Sequence, residues 1–148
     1  MLRSFRVVLS TRRLFKNWLG AAVNGFLVKY GLSSGFVTIK CGDSVYKLHL
    51  NFYLFIVNNY YDGIISKVEC LNSRINLNYR NVPISVVPPD FIELLYMGKH
   101  VKFVGLLPFL DDVLFENFLG GAYDDIDVRG KTVIDVGAGV GDTAVLFV

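Results

Sequence analysis

Cysteine and histidine are scarce in this chain of 148 residues, with two of each. Cys41 and Cys70 have no CxxC spacing and no neighbouring histidine, so they outline neither a zinc site nor a disulfide framework, and buried free thiols are expected. His49 and His100 stand far apart without an HxxxH or HxE partner, so packed or surface histidines are expected and no metal ligand is nominated. No apolar run reaches the ~20 residues that a bilayer-spanning helix needs. Thr11–Lys16, TRRLFK, interrupts the apolar run after Arg6 and breaks the pattern of a secretory leader, and there is no N-x-[ST] sequon. A cytoplasmic protein is expected.

Acid is missing from the first 42 residues, which carry Arg3, Arg6, Arg12, Arg13, Lys16, Lys29 and Lys40. Between Leu106 and Val128 the reverse holds: Asp111, Asp112, Glu116, Asp124, Asp125 and Asp127 occur without Lys or Arg. A net charge of +2 is too small to indicate a nucleic-acid partner, and the two stretches read as solvated faces of opposite sign. With 53% hydrophobic and 19% charged residues the chain has the composition of a packed globular protein of about one domain.

Phe15, Trp18, Leu19, Ala22, Val23, Phe26, Leu27 and Tyr30 recur at helical spacing, and Gly31 is placed to end the helix. This stripe is expected to pack on the core; leaning weakly on an anionic membrane surface through Arg12, Arg13 and Lys16 is the alternative. GFVTIK and SVYKLHL flank Cys41-Gly42-Asp43, the chemistry of a tight hairpin. Asn51–Gly63 is read as a helix closed by Asp62-Gly63. Strands follow in IISKVECL and SRINLNYRNVPISVV, with a turn near Arg80-Asn81, and Pro83 marks an edge strand or the start of one. Asp90 and Glu93 have capping-box spacing, so a short helix is expected from Asp90. Another is expected within FLDDVLFENFLGG, stopped by Gly120-Gly121.

The chemical signal lies in VIDVGAGVGDTAVLF, Val133–Phe147. After the turn Arg129-Gly130-Lys131, the run Val133–Val136 has the β-branched character of a buried parallel strand. Gly137, Gly139 and Gly141 follow, then Asp142–Phe147 as the opening of a helix. Glycines at such a turn let the backbone bend and let a ligand approach main-chain N–H groups, while the helix N-terminus favours a negative group. Gly139–Ala144 also satisfies the looser G-x-G-x-x-G/A form of a dinucleotide site, starting two residues late.

The spacing Asp135-Val136-Gly137-Ala138-Gly139-Val140-Gly141 resembles motif I of S-adenosylmethionine-dependent methyltransferases with a Rossmann-like fold. Within them, VIDVGAGVGDTAVLF and the lead-in FENFLGGAYDDIDVRGK are similar to the FkbM type, over roughly Phe115–Val148. The family often has asparagine where this chain has Gly139, a departure toward the general methyltransferase pattern. The resemblance implies that the loop of Gly137, Ala138, Gly139 and Gly141 wraps the methionine portion of S-adenosyl-L-methionine and that Asp135 orients its amino end. It also implies methylation of a hydroxyl on a sugar or small-metabolite acceptor.

The expected fold is α/β: an α+β accessory region over 1–105, then at 106–148 the first strand and partial helix of a Rossmann-like sheet. A crossover needs a dozen or more residues before a parallel partner can pair, so the chain is expected to be truncated and no catalytic base is nominated. A nucleotide-binding oxidoreductase fragment and a non-catalytic interaction or membrane-peripheral module are the alternatives.

Overall fold

The computed structural model describes residues 2–88, 91–96, 99–104 and 126–134. The chain divides into two units, Met1–Pro108 and Phe109–Val148. The first mixes helices with antiparallel sheets: α1 (Leu2–Ser10), a 3-10 turn (Thr11–Arg13), α2 (Trp18–Lys29), β1 (Phe36–Cys41), β2 (Ser44–His49), α3 (Leu50–Tyr61), and then β3 (Ile65–Leu71), β4 (Arg74–Tyr79), β5 (Val82–Val87), β6 (Phe91–Tyr96) and β7 (Lys99–Val104). β1 and β2 form a two-stranded ribbon; β3 to β7 form a meander in sequence order, every pair antiparallel.

Three of the hairpins are dictated by their turns. Gly42 takes a φ of 61° between Cys41 and Ser44, a backbone conformation open to glycine at no steric penalty. Asn72-Ser73 and Arg80-Asn81 also lie at positive φ, which matches the right-handed twist of the strands they join. Pro83 sits one residue into β5, opposite Asn78. β5 is paired on both sides, so of the two sequence readings the start of a strand is correct and the edge is not. Pairing with β6 begins only at Ile84, past the residue that has no N–H to donate.

Period-two burial builds the core: Val37 and Ile39 from β1, Tyr46 and Leu48 from β2, Ile75, Leu77 and Tyr79 from β4, and Ile84 and Val86 from β5. Helix α3 adds Phe52, Tyr53, Phe55, Ile56 and Val57. Its aromatic rings continue into the sheet, Phe52 against Phe55 at 6.1 Å and Phe55 against Tyr79 at 5.8 Å between centroids.

Four expectations are corrected. Cys41 and Cys70 are joined in a disulfide, because the hairpin end of β1 meets the end of β3 with Cα atoms 5.7 Å apart; spacing along the chain gives no hint of that meeting. Glu93 belongs to a strand and caps no helix, since Phe91–Tyr96 pairs with β5 on one side and β7 on the other; Asp90 lies outside the described residues. Helix α2 exists and Gly31 ends it at a φ of 71°, but the helix begins at Trp18 and the apolar stripe packs on the core only in part: Phe15, ahead of the helix, is buried, and Trp18, Ala22 and Leu27 are half-buried. Leu19, Val23, Phe26 and Tyr30 are exposed, whereas Ala21 and Gly25 face inward, because close approach to β1 admits only small residues. The fourth concerns Val133 and Ile134, the described half of the expected buried strand: they are in no strand, and Ile134 is 82% exposed. No parallel pairing, which would bury such a run on both faces, occurs among the described residues.

Candidate functional site

Asp135, Gly137, Ala138, Gly139 and Gly141 all lie outside the described residues, as does the helix expected within Phe109–Gly121. The lead-in to the loop is described. Gly130 has a φ of 70°, and Lys131 N donates to Val128 O at 3.0 Å, closing the turn read at Arg129-Gly130-Lys131. Asp127 receives three bonds from Arg129: from the backbone N–H, from Nε at 2.9 Å and from Nη2 at 3.1 Å. The guanidinium first, and the Arg129 backbone N–H second, hold the Asp127 carboxyl below its ordinary range. The pair is exposed and fixes a turn, which occupies both of its side chains.

The first unit carries a cleft of about 610 Å3 among α1, α2 and α3. Its lining includes Val7, Gly25, Tyr53 and Leu54, together with Arg3 and Lys29. Burial pushes the Tyr53 hydroxyl up to about 12, so at neutral pH it is protonated, a donor and not a base. No carboxylate, cysteine or histidine lines the cleft among the described residues, which leaves it able to hold an apolar group beside Lys29, with Arg3 ion-paired to Asp62, but without a nucleophile and base pair.

A polar row crosses the meander. Asn76 stands opposite Ser85, Ser85 opposite Glu93 and Glu93 opposite Lys102, and Arg74 ion-pairs with Glu93 and reaches Ser85 at 3.5 Å. Sequence reading missed this row because it exists only once four strands are in register. His100 lies beside it, lining a small cavity with Ser85 and Glu93. His49 packs on Phe36 at 4.5 Å between ring centroids. Among the described residues no group of three His, Cys, Asp or Glu is placed to hold a metal. No described helix is long and apolar enough to cross a membrane.

No protein-family model, no curated protein and no solved structure matches the chain.

Proposed function

We propose that the chain carries the cofactor loop of an S-adenosyl-L-methionine-dependent methyltransferase of the FkbM type, with a Rossmann-like sheet, acting on a hydroxyl of a sugar or other small metabolite. The observation that carries this reading is the sequence Asp135–Gly141, an acid two residues ahead of three alternating glycines, followed by Asp142-Thr143. The main chain at Gly137, Ala138, Gly139 and Gly141 would hold the methionine portion, and Asp135 its amino group. The cofactor, when bound, supplies an electrophilic methyl group on sulfur. No residue of this chain is assigned as catalytic base. In the longest polypeptide that the gene encodes, Gly139→Val places a Cβ where the ligand must approach, and is expected to weaken cofactor binding by roughly 1–3 kcal/mol. Unchanged affinity in calorimetry overturns the reading. A dinucleotide bound in preference to S-adenosyl-L-methionine identifies the oxidoreductase alternative.

A second reading, a membrane-peripheral module, is favoured by α2. Leu19, Val23, Phe26 and Tyr30 follow one helical stripe with exposures of 53 to 61%, beside Lys29 and the acid-free N-terminal region. Flotation with phosphatidylserine vesicles checks it: Val23→Ser with Phe26→Ser is expected to abolish association, and a wild-type chain that stays with the unbound fraction ends it.

The cytoplasmic location expected from the N-terminal sequence has the Cys41–Cys70 bond against it, since structural disulfides are rare in reducing compartments. Trapping thiols by alkylation in intact cells decides: two free thiols support the cytoplasm, none an oxidising compartment.

A further inference from the structure

Three arginines without acidic partners line a second cleft, of about 580 Å3, on the opposite side of α1 from the first. Helix α1 runs directly into the 3-10 turn, so Arg6, Ser10 and Arg13 fall at steps of four and three residues on one side, with Arg12 adjoining. The facing wall is the end of α3 and the start of β3, contributing Tyr60, Tyr61 and Ser66. The two walls are held together where Arg3 Nη2 meets Asp62 Oδ2 at 2.9 Å. That bond engages the nearest carboxylate in sequence with a cation outside the cleft lining.

Among the described residues the side chains of Arg6, Arg12 and Arg13 have no ion-pair or hydrogen-bond partner. The ends of α1 and α3 that border the cleft are C-terminal, each carrying roughly half a negative charge; that helps to keep the arginines in place but falls short of three guanidinium charges. The cleft therefore keeps a net positive field, five-donor planar groups suited to paired oxygens, and hydroxyls from tyrosine and serine. Leu9 and the buried Ile65 add an apolar strip to the lining, enough for a ligand body beyond its charged head. The volume falls within the roughly 300–1,000 Å3 of small-molecule sites.

We propose that this cleft is a binding site for a phosphate-bearing small molecule, with Arg6, Arg12 and Arg13 clamping the phosphate and Tyr60, Tyr61 and Ser66 completing its hydrogen bonds. The proposal is independent of the methyltransferase reading, as every residue of the cleft lies in the Met1–Pro108 unit.

Pyrophosphate titrated into the full chain at constant ionic strength, followed by calorimetry, is the test. Saturable binding is expected, weakened roughly tenfold or more by Arg6→Gln or Arg13→Gln, in keeping with the loss of one charge-assisted contact. Arg13→Lys keeps the charge and loses the fork; it is expected to bind several-fold more weakly than wild type while melting at the same temperature. Absence of saturable binding overturns the proposal, and so does equal weakening by Lys40→Gln, which removes the same charge elsewhere. The source of the phosphate is read with phosphatidylcholine vesicles carrying either a phosphatidylinositol phosphate or phosphatidylserine. A preference for the phosphoinositide that pyrophosphate competes away supports the site as a headgroup site, and pyrophosphate binding with no such preference supports it as a site for a free phosphorylated molecule.

Discussion

Helices α2 and α3 are each 12 residues long and both rich in aromatic and aliphatic side chains, yet they meet the core in opposite ways. Helix α3 buries five large residues between the ribbon and the meander. Helix α2 fully buries one alanine and one glycine, keeps Trp18, Leu27 and Val28 half-buried and leaves Leu19, Val23 and Phe26 in solvent. Hydrophobicity alone does not say which face of a helix turns inward. On α2 the inner face is chosen by polar anchoring, because Asn17 and Asn24 hydrogen-bond the backbone of β1, and the helix must come close enough for them to reach. Close approach demands small residues, and Gly25 supplies one: a Cβ there would lie 3.2 Å from Tyr53 Cε1.

The contrast is broken most severely at Phe55. Phe55→Ala is expected to lower unfolding free energy by about 3–5 kcal/mol in urea titration, whereas Phe26→Ala on α2 changes it by about 0.5 kcal/mol or less. If the two losses are equal, the burial assigned to α2 is wrong. Next in size, Cys41→Ser removes the bridge across a separation of 29 residues and is expected to remove about 2–4 kcal/mol; an unreduced and a reduced wild-type chain that melt together would refute this.

Tyr53 sharpens the comparison through pH, since it lies where α3 faces Gly25. Its folded value of about 12 exceeds the ordinary 10.0, so the unfolded chain releases the proton first. The stability is complete below pH 10.0 and declines as pH rises from there toward about 12. Tyr53→Phe is expected to flatten the alkaline fall in melting temperature over that window; an unaltered fall excludes Tyr53 as its source.

The smallest effect separates two glycines of α2. Gly20 has nothing within 4 Å of an added Cβ, so Gly20→Ala is expected to stabilise by about 0.5–1 kcal/mol through helix propensity. Gly25→Ala gains the same propensity against the contact with Tyr53 and is expected to gain less. Equal melting-temperature increases would mean that the helix and Tyr53 are not in tight contact.

What the sequence made legible was local. Gly42-Asp43 marked the first hairpin, Asp62-Gly63 the end of α3, and Arg80-Asn81 the turn into β5, each through backbone chemistry confined to two residues. Helix α1 carries a signal in its sequence, with Arg3, Arg6 and Ser10 on a polar side, but at nine residues the signal spans little more than two turns. β6 was misread because a capping-box spacing is a weak local preference and pairing on both edges overrides it. β7, the Cys41–Cys70 bond and the Arg74–Glu93 pair were not legible, since each depends on strands distant in sequence coming into register. The candidate cofactor loop was legible only as a motif, and its residues lie outside the described ones.

Asn24 of α2 and Asn17, just ahead of its first residue, have one more effect. The outer edge of β1 would ordinarily offer Thr38 and Lys40 to water or to a passing strand. Asn24 Oδ1 accepts from Thr38 N at 2.9 Å, Asn17 Oδ1 accepts from Lys40 N, Asn17 Nδ2 donates to Thr38 O at 3.1 Å, and Lys16 N donates to Lys40 O at 2.8 Å. Helix α2 and the two residues ahead of it thus stand in for a third strand. The amide hydrogens of Thr38 and Lys40 are hydrogen-bonded at this nominal edge, so they should exchange with deuterium more slowly than free edge amides, and the ribbon offers no open template there for another chain to extend.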